Sequence, residues 1–82
     1  MYDKVSAELV GRTLWALRKS KQPTQEVLSG LAGLDRSHYS KIERGLRSPT
    51  IDTLFKIAYA YGMYPHELMI LIEQAVEKEN ET

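Results

Sequence analysis

Arg36, Ser37, His38, Ser40 and Lys41 can each donate a hydrogen bond from the side chain, and none is acidic. They interleave with Tyr39 and Ile42, whose spacing of three places one apolar stripe along a helix and leaves the donors outside. A DNA major groove displays base acceptors between two rows of phosphates, so a donor-lined helix start suits it. An ordinary solvated helix on a small bundle has the same pattern, and these residues alone leave both readings open. Arg36 and Lys41 are the candidates for guanine, because a cation can donate to O6 and N7, or they meet phosphate only. Ser37 and Ser40 can pair with several bases or with phosphate oxygens. His38 is either a base or phosphate donor or a solvated surface histidine. Arg44 and Arg47 flank the following loop and either reach phosphates or stay solvated.

Those side chains need two short helices and a tight turn to place them, and the stretch from Thr24 to Gly45 supplies both. Thr24 is a natural N-cap, with Glu26 in the first turn where it suits the helix dipole. Val27, Leu28, Leu31 and Ala32 are spaced as one buried helical face, and Gly33 ends the helix. Leu34 plugs the turn, Asp35 caps a second helix over about Arg36–Glu43, and Gly45 closes it.

The rest of the chain reads as three more helices. The first runs from about Ser6 to Ser20, with Val10, Leu14 and Leu17 as its core stripe. Arg18, Lys19 and Lys21 load its C-terminal end with positive charge. Gly11 inside it costs about 1 kcal/mol relative to alanine, for which close approach of another helix is one reason. Pro23 ends the helix. Thr50 caps the fourth helix, where Leu54, Ile57 and Ala58 repeat with Ile51 one turn earlier, and Tyr61-Gly62 ends it. The fifth begins near Pro65 and leads into a charged tail, EKENET, expected to fray. Leu68, Leu71, Ile72 and Ala75 form its own core stripe. Met69, Ile70, Glu73 and Val76 are then partly exposed, which with Ile72 marks a two-fold homodimer interface, or else the helix is simply buried in the core.

Composition narrows the classes. Eighty-two residues make one small domain, for which self-association adds stability. There is no cysteine, hence no disulfide framework or thiolate metal site. His66 has no second ligand at metal spacing, so no metal and no cofactor are expected. No run of about 18 apolar residues and no signal-peptide core occur, so a cytoplasmic protein without membrane partners is expected. Net charge is zero, but residues 1–50 carry nine Lys/Arg against five Asp/Glu, and residues 51–82 carry two against six. The molecule is therefore electrically two-sided, and screening over roughly 8–10 Å lets its basic side act alone. The serines lack an arranged base and no Gly-rich phosphate loop is present, which argues against an enzyme.

The chain resembles the Cro/lambda-repressor-type, or XRE-type, helix-turn-helix family over about Leu9 to Leu68. The match runs through Val10-Gly11, Leu14, Leu17-Arg18, Thr24-Gln25-Glu26, Leu28, Gly33-Leu34, Ile42-Glu43-Arg44-Gly45, Pro49-Thr50, Leu54, Ile57-Ala58, Gly62 and Glu67-Leu68, without insertion or deletion. The resemblance implies an all-α, five-helix compact bundle whose second and third helices read DNA. It implies that Gln25 contacts backbone phosphate and braces the recognition helix. It further implies that Arg36, Ser37, His38, Ser40 and Lys41 reach bases or adjacent phosphates, and that Arg18 and Glu43 form a structural ion pair. Three positions depart from the pattern: Ser29 replaces a usual alanine, Trp15 a usual charged residue, and Tyr64 a usual Ser or Thr cap. Ser29 either loosens local packing or bonds back to its helix. Trp15 is either a partly covered surface aromatic or a contact to protein or DNA backbone.

The reading is a single domain over 1–82, with 65–82 as its dimerising part. It is a double-stranded DNA-binding regulator acting as a homodimer on a roughly palindromic operator, with no small-molecule ligand. Size and the apolar fifth helix are similar to restriction-modification controller proteins and short phage repressors. The alternative from another class is an antitoxin-like interaction module of the same fold.

Overall fold

The computed structural model describes residues 4–81, so Met1–Asp3 and Thr82 lie outside it. Five helices follow in order: α1 (Ala7–Lys21), α2 (Gln25–Ala32), α3 (Arg36–Glu43), α4 (Ile51–Ala60) and α5 (Pro65–Asn80). The described residues contain no strand. Each helix starts where side-chain chemistry dictates. Ser6, Thr24, Asp35 and Thr50 each accept a hydrogen bond from the backbone N–H three residues on, at 3.1–3.2 Å. Such a bond satisfies one of the free donors of a helix start. Tyr64 has no short polar side chain to do this. There the Glu67 carboxylate reaches back to accept from the Tyr64 N–H at 2.8 Å, and Pro65 presets the first turn.

The turn between α2 and α3 depends on Gly33, whose φ of 68° is the left-handed region that a β-carbon disfavours. Leu34 then donates its N–H to the Ser29 carbonyl at 2.8 Å and packs its side chain against the core. Ser29 is buried and bonds back to the Glu26 carbonyl at 3.2 Å, so the hydroxyl is accommodated inside α2. The core draws on all five helices. Leu14, Leu28, Tyr39, Ile42, Ile57 and Leu68 are its largest fully buried side chains.

The apolar faces are wider than the neighbours that cover them. Only Leu28 and Ala32 of the α2 stripe are buried; Val27 and Leu31 are exposed. Ile51 is also exposed, although Thr53 and Leu54 of the same turn are buried. On α5 the buried residues are Leu68, Ile72 and Val76, spaced four apart, with Leu71 and Ala75 half-buried. This corrects two expected interface residues: Ile72 (4% exposed) and Val76 (2% exposed) belong to the core of their own chain. The charged tail is helical through Asn80 rather than frayed, since burying Val76 holds its last turns against the bundle. Arg12 of α1 meets Glu79 at 3.7 Å on that side. No helix among the described residues is long and apolar enough to cross a membrane.

Candidate nucleic-acid interface

α3 is eight residues long and buries Tyr39, Ile42 and Glu43. Arg36 and Ser37 are exposed; His38, Ser40 and Lys41 are half-buried around the helix edge. Asp35 accepts from the His38 N–H, which fixes the end of the helix that carries these donors. Arg44 and Arg47 are exposed just beyond its C-terminus. The structure thus brings the seven donor side chains from 36 to 47 onto one short helix and its exit loop.

The position of that helix is set by Glu43. Its carboxylate is buried (side chain 2% exposed) and accepts four hydrogen bonds. Arg18 Nε donates to Oε2 at 2.7 Å and an Arg18 terminal nitrogen to Oε1 at 3.0 Å, a fork-to-fork pair. Tyr39 donates its hydroxyl to Oε2 at 2.6 Å and Gln25 its amide to Oε1 at 3.0 Å. Arg18 also donates to the Pro23 carbonyl at 3.2 Å. One carboxylate therefore ties α1, α2 and α3 together, with the expected Arg18–Glu43 pair at its centre.

Burial alone would raise the Glu43 pKa, but the bonds from Arg18, Tyr39 and Gln25 and the Arg18 charge hold it below the usual carboxylate value. The bond to Glu43 raises Arg18 in turn. Burial, then the Glu43 bond and charge, push Tyr39 well above an ordinary phenol. A second tyrosine, Tyr61, is pushed up to about 12 by burial and by Glu43. Its buried hydroxyl has no hydrogen-bond partner among the described residues.

Gln25 is half-buried at the start of α2, with part of its amide committed to Glu43. The Tyr39 hydroxyl is a site feature that its apolar spacing concealed. A tyrosine four residues before a glutamate on one helix was the available signal. Trp15 lies half-exposed on α1 with the Lys19 ammonium 5.7 Å from its ring centroid. His66 stacks on Tyr64, ring centroids 5.6 Å apart.

On α5, Met69 (42% exposed) and Ile70 (45%) stand out from the surface beside exposed Glu73. One turn before Met69, Pro65 lines an open groove of about 1050 Å³ together with Phe55, Tyr59, Met63 and Tyr64.

Comparison with known proteins gives this geometry a family. The Helix-turn-helix family HTH_3 matches residues 16–68. An uncharacterised HTH-type transcriptional regulator, y4dJ, of Sinorhizobium fredii is 39% identical over 62 residues, 76% of this chain and 80% of that protein. The control protein C.BamHI of Bacillus amyloliquefaciens is 37% identical over 62 residues, 74% of this chain and 76% of its own. Among solved structures, the restriction-modification controller protein C.AhdI of Aeromonas hydrophila superposes with a TM-score of 0.71 at 39% identity, covering 76% of this chain and 94% of that one. The two short helices across Gly33, the anchored α3 and these likenesses place the chain in the XRE-type helix-turn-helix family of DNA-binding regulators.

Proposed function

We propose that this regulator binds as a homodimer to a roughly palindromic double-stranded operator, with α3 of each copy in a major groove. Arg36, Ser37, His38, Ser40 and Lys41 read bases or the phosphates beside them, and Gln25, Arg44 and Arg47 hold the backbone. The observation that carries this reading is a short donor-lined helix that is exposed along one edge while its other face is pinned to two helices through Glu43. Such a helix keeps its donors in a fixed arrangement, which base readout requires. Exposed Met69 and Ile70 on α5, and the open groove lined by Phe55, Tyr59 and Pro65, support a dimer surface on the α4–α5 side. The likeness to C.BamHI and C.AhdI supports a controller-type regulator, with a short phage-type repressor as the alternative.

Selection of duplexes from a random DNA pool, with the mass of the complex, tests the reading. The expected result is an enriched sequence with two inverted half-sites whose centres lie about 34 Å apart, carrying two chains. Enrichment of nothing, or one chain on an asymmetric site, overturns it. A stoichiometric second protein co-purifying with the chain, with DNA binding only secondary, would favour the antitoxin-like alternative.

A further inference from the structure

Gly11 lies inside α1 with ordinary helical backbone, so it is not there for conformational freedom, and a helix interior is weaker with glycine than with alanine. Its surroundings supply the reason. A β-carbon built on Gly11 falls 2.6 Å from the Ile42 carbonyl oxygen and 2.6 Å from that of Glu43, the last two of α3. Ordinary contact begins at 3.4 Å, so a methyl group there would drive those carbonyls back by about 0.8 Å. They are backbone atoms and cannot swing aside. The Ile42 oxygen also accepts from the Gly45 N–H at 3.0 Å, so the whole last turn would move. Seven residues along the same face of α1, Arg18 grips the Glu43 carboxylate. One helix thus holds Glu43 twice, by backbone contact and by ion pair.

We propose that Gly11 is a positioning residue for base recognition: its bare backbone sets how close α3 lies to α1, and so the depth and tilt at which α3 meets the groove. This rests on the reading of α3 as the base-reading helix. Binding geometry of this kind tolerates about 0.5 Å, less than the displacement a methyl would impose. Because α3 is one rigid eight-residue rod, a shift at Glu43 reaches Arg36, Ser37, Ser40 and Lys41 together. Phosphate attraction depends on charge rather than register and survives such a shift.

The test compares Gly11→Ala with Gly30→Ala in the full chain. Gly30, on α2, is the matched control, because a β-carbon there meets nothing within 4 Å. Affinities for the selected operator and for an unrelated duplex of equal length are measured at one salt concentration, with melting of the free protein alongside. Gly11→Ala should lose about tenfold on the operator, the worth of roughly one base contact, and stay within about twofold on the unrelated duplex. Gly30→Ala should keep the wild-type ratio. A folded Gly11→Ala protein with an unchanged ratio overturns the proposal. So does failure of both Gly11→Ala and the Gly11→Ala/Gly30→Ala double variant to fold, which would make Gly11 a residue of the fold alone. A wild-type protein that binds all duplexes alike would instead remove the base-reading assignment beneath it.

Discussion

The cluster at Glu43 and the α4–α5 corner obey opposite rules. At Glu43 a buried carboxylate takes four hydrogen bonds from Arg18, Tyr39 and Gln25, and its demand is met within one chain. On α4, α5 and the segment between them, Phe55, Tyr59, Tyr64, Met69 and Ile70 are large, apolar or aromatic, and exposed. The first region is polar and finished; the second is apolar and uncovered. Hydrogen-bonded charge gives a fixed geometry at little net stability, whereas apolar area gives affinity with little geometric demand. The chain therefore builds its reading unit alone and leaves the α4–α5 surface for something else to bury, which we take to be a second copy.

Arg18→Ala strands the Glu43 carboxylate and should cost about 3–5 kcal/mol, a large share of the stability of a domain this size. Denaturant melts of the free protein read this directly. A loss below about 1 kcal/mol would make the pair equivalent to an exposed ion pair and remove the contrast. The opposite signature belongs to Ile70→Arg. It should change the stability of the single chain by no more than about 0.5 kcal/mol, because the side chain is already half in water. It should convert the dimer to monomer in sedimentation and weaken operator binding about 100-fold, or about 2.8 kcal/mol, by separating the two reading helices. A dimer that survives the substitution places the contact elsewhere.

The same contrast explains what the sequence makes legible. Caps are local chemistry, so Thr24, Asp35, Thr50 and Pro65 mark real helix starts. The first helix is off by one residue at each end, because Ser6 is its cap and Lys21 still belongs to it. Apolar spacing says which face is apolar but not how much of it a neighbour covers. Hence Val27, Leu31 and Ile51 look like core and are exposed, while Val76 looks exposed and is core. The Arg18–Glu43 pair is reachable through the family pattern. The same pattern implies that Gln25 braces α3, but that it does so through Glu43, 18 residues away, requires three dimensions. The Gly11 contact with α3 is half legible: the sequence shows an unexplained glycine, and only the fold shows what it touches.

Within the reading unit, Arg36 and Arg47 should separate two kinds of contact. Arg36→Ala should cost about 1–3 kcal/mol on the operator and relax preference at one position if its contact is bidentate. Arg47→Ala, beyond the helix, should weaken all duplexes alike and lower the salt slope by about one. Competition binding across a panel of single-base operator variants, repeated at several salt concentrations, distinguishes them. Equal loss across the panel for Arg36→Ala would refute its base-reading role.

The smallest effect is a slope in pH. Burial would raise the Glu43 pKa, but the donors around it and the Arg18 charge reverse this and hold the folded value below the ordinary carboxylate pKa of about 4.3. The unfolded chain therefore binds the proton more tightly than the folded one. Stability from Glu43 is fully present above about pH 4.3 and is lost as pH falls through the lower, folded value, at no more than about 1.4 kcal/mol per pH unit. On the alkaline side the raised Tyr39 and Tyr61 values act the other way, so stability falls once pH passes about 10, where an unfolded tyrosine ionises. Urea unfolding across pH 3–7 should show a flatter acid limb in Glu43→Gln than in the wild type, even though that variant starts from a lower plateau. Ile70→Arg should retain the wild-type acid slope, because it leaves the bonds of Arg18, Tyr39 and Gln25 to Glu43 in place. Equal acid slopes in wild type and Glu43→Gln would mean that Glu43 does not carry the acid sensitivity of this region.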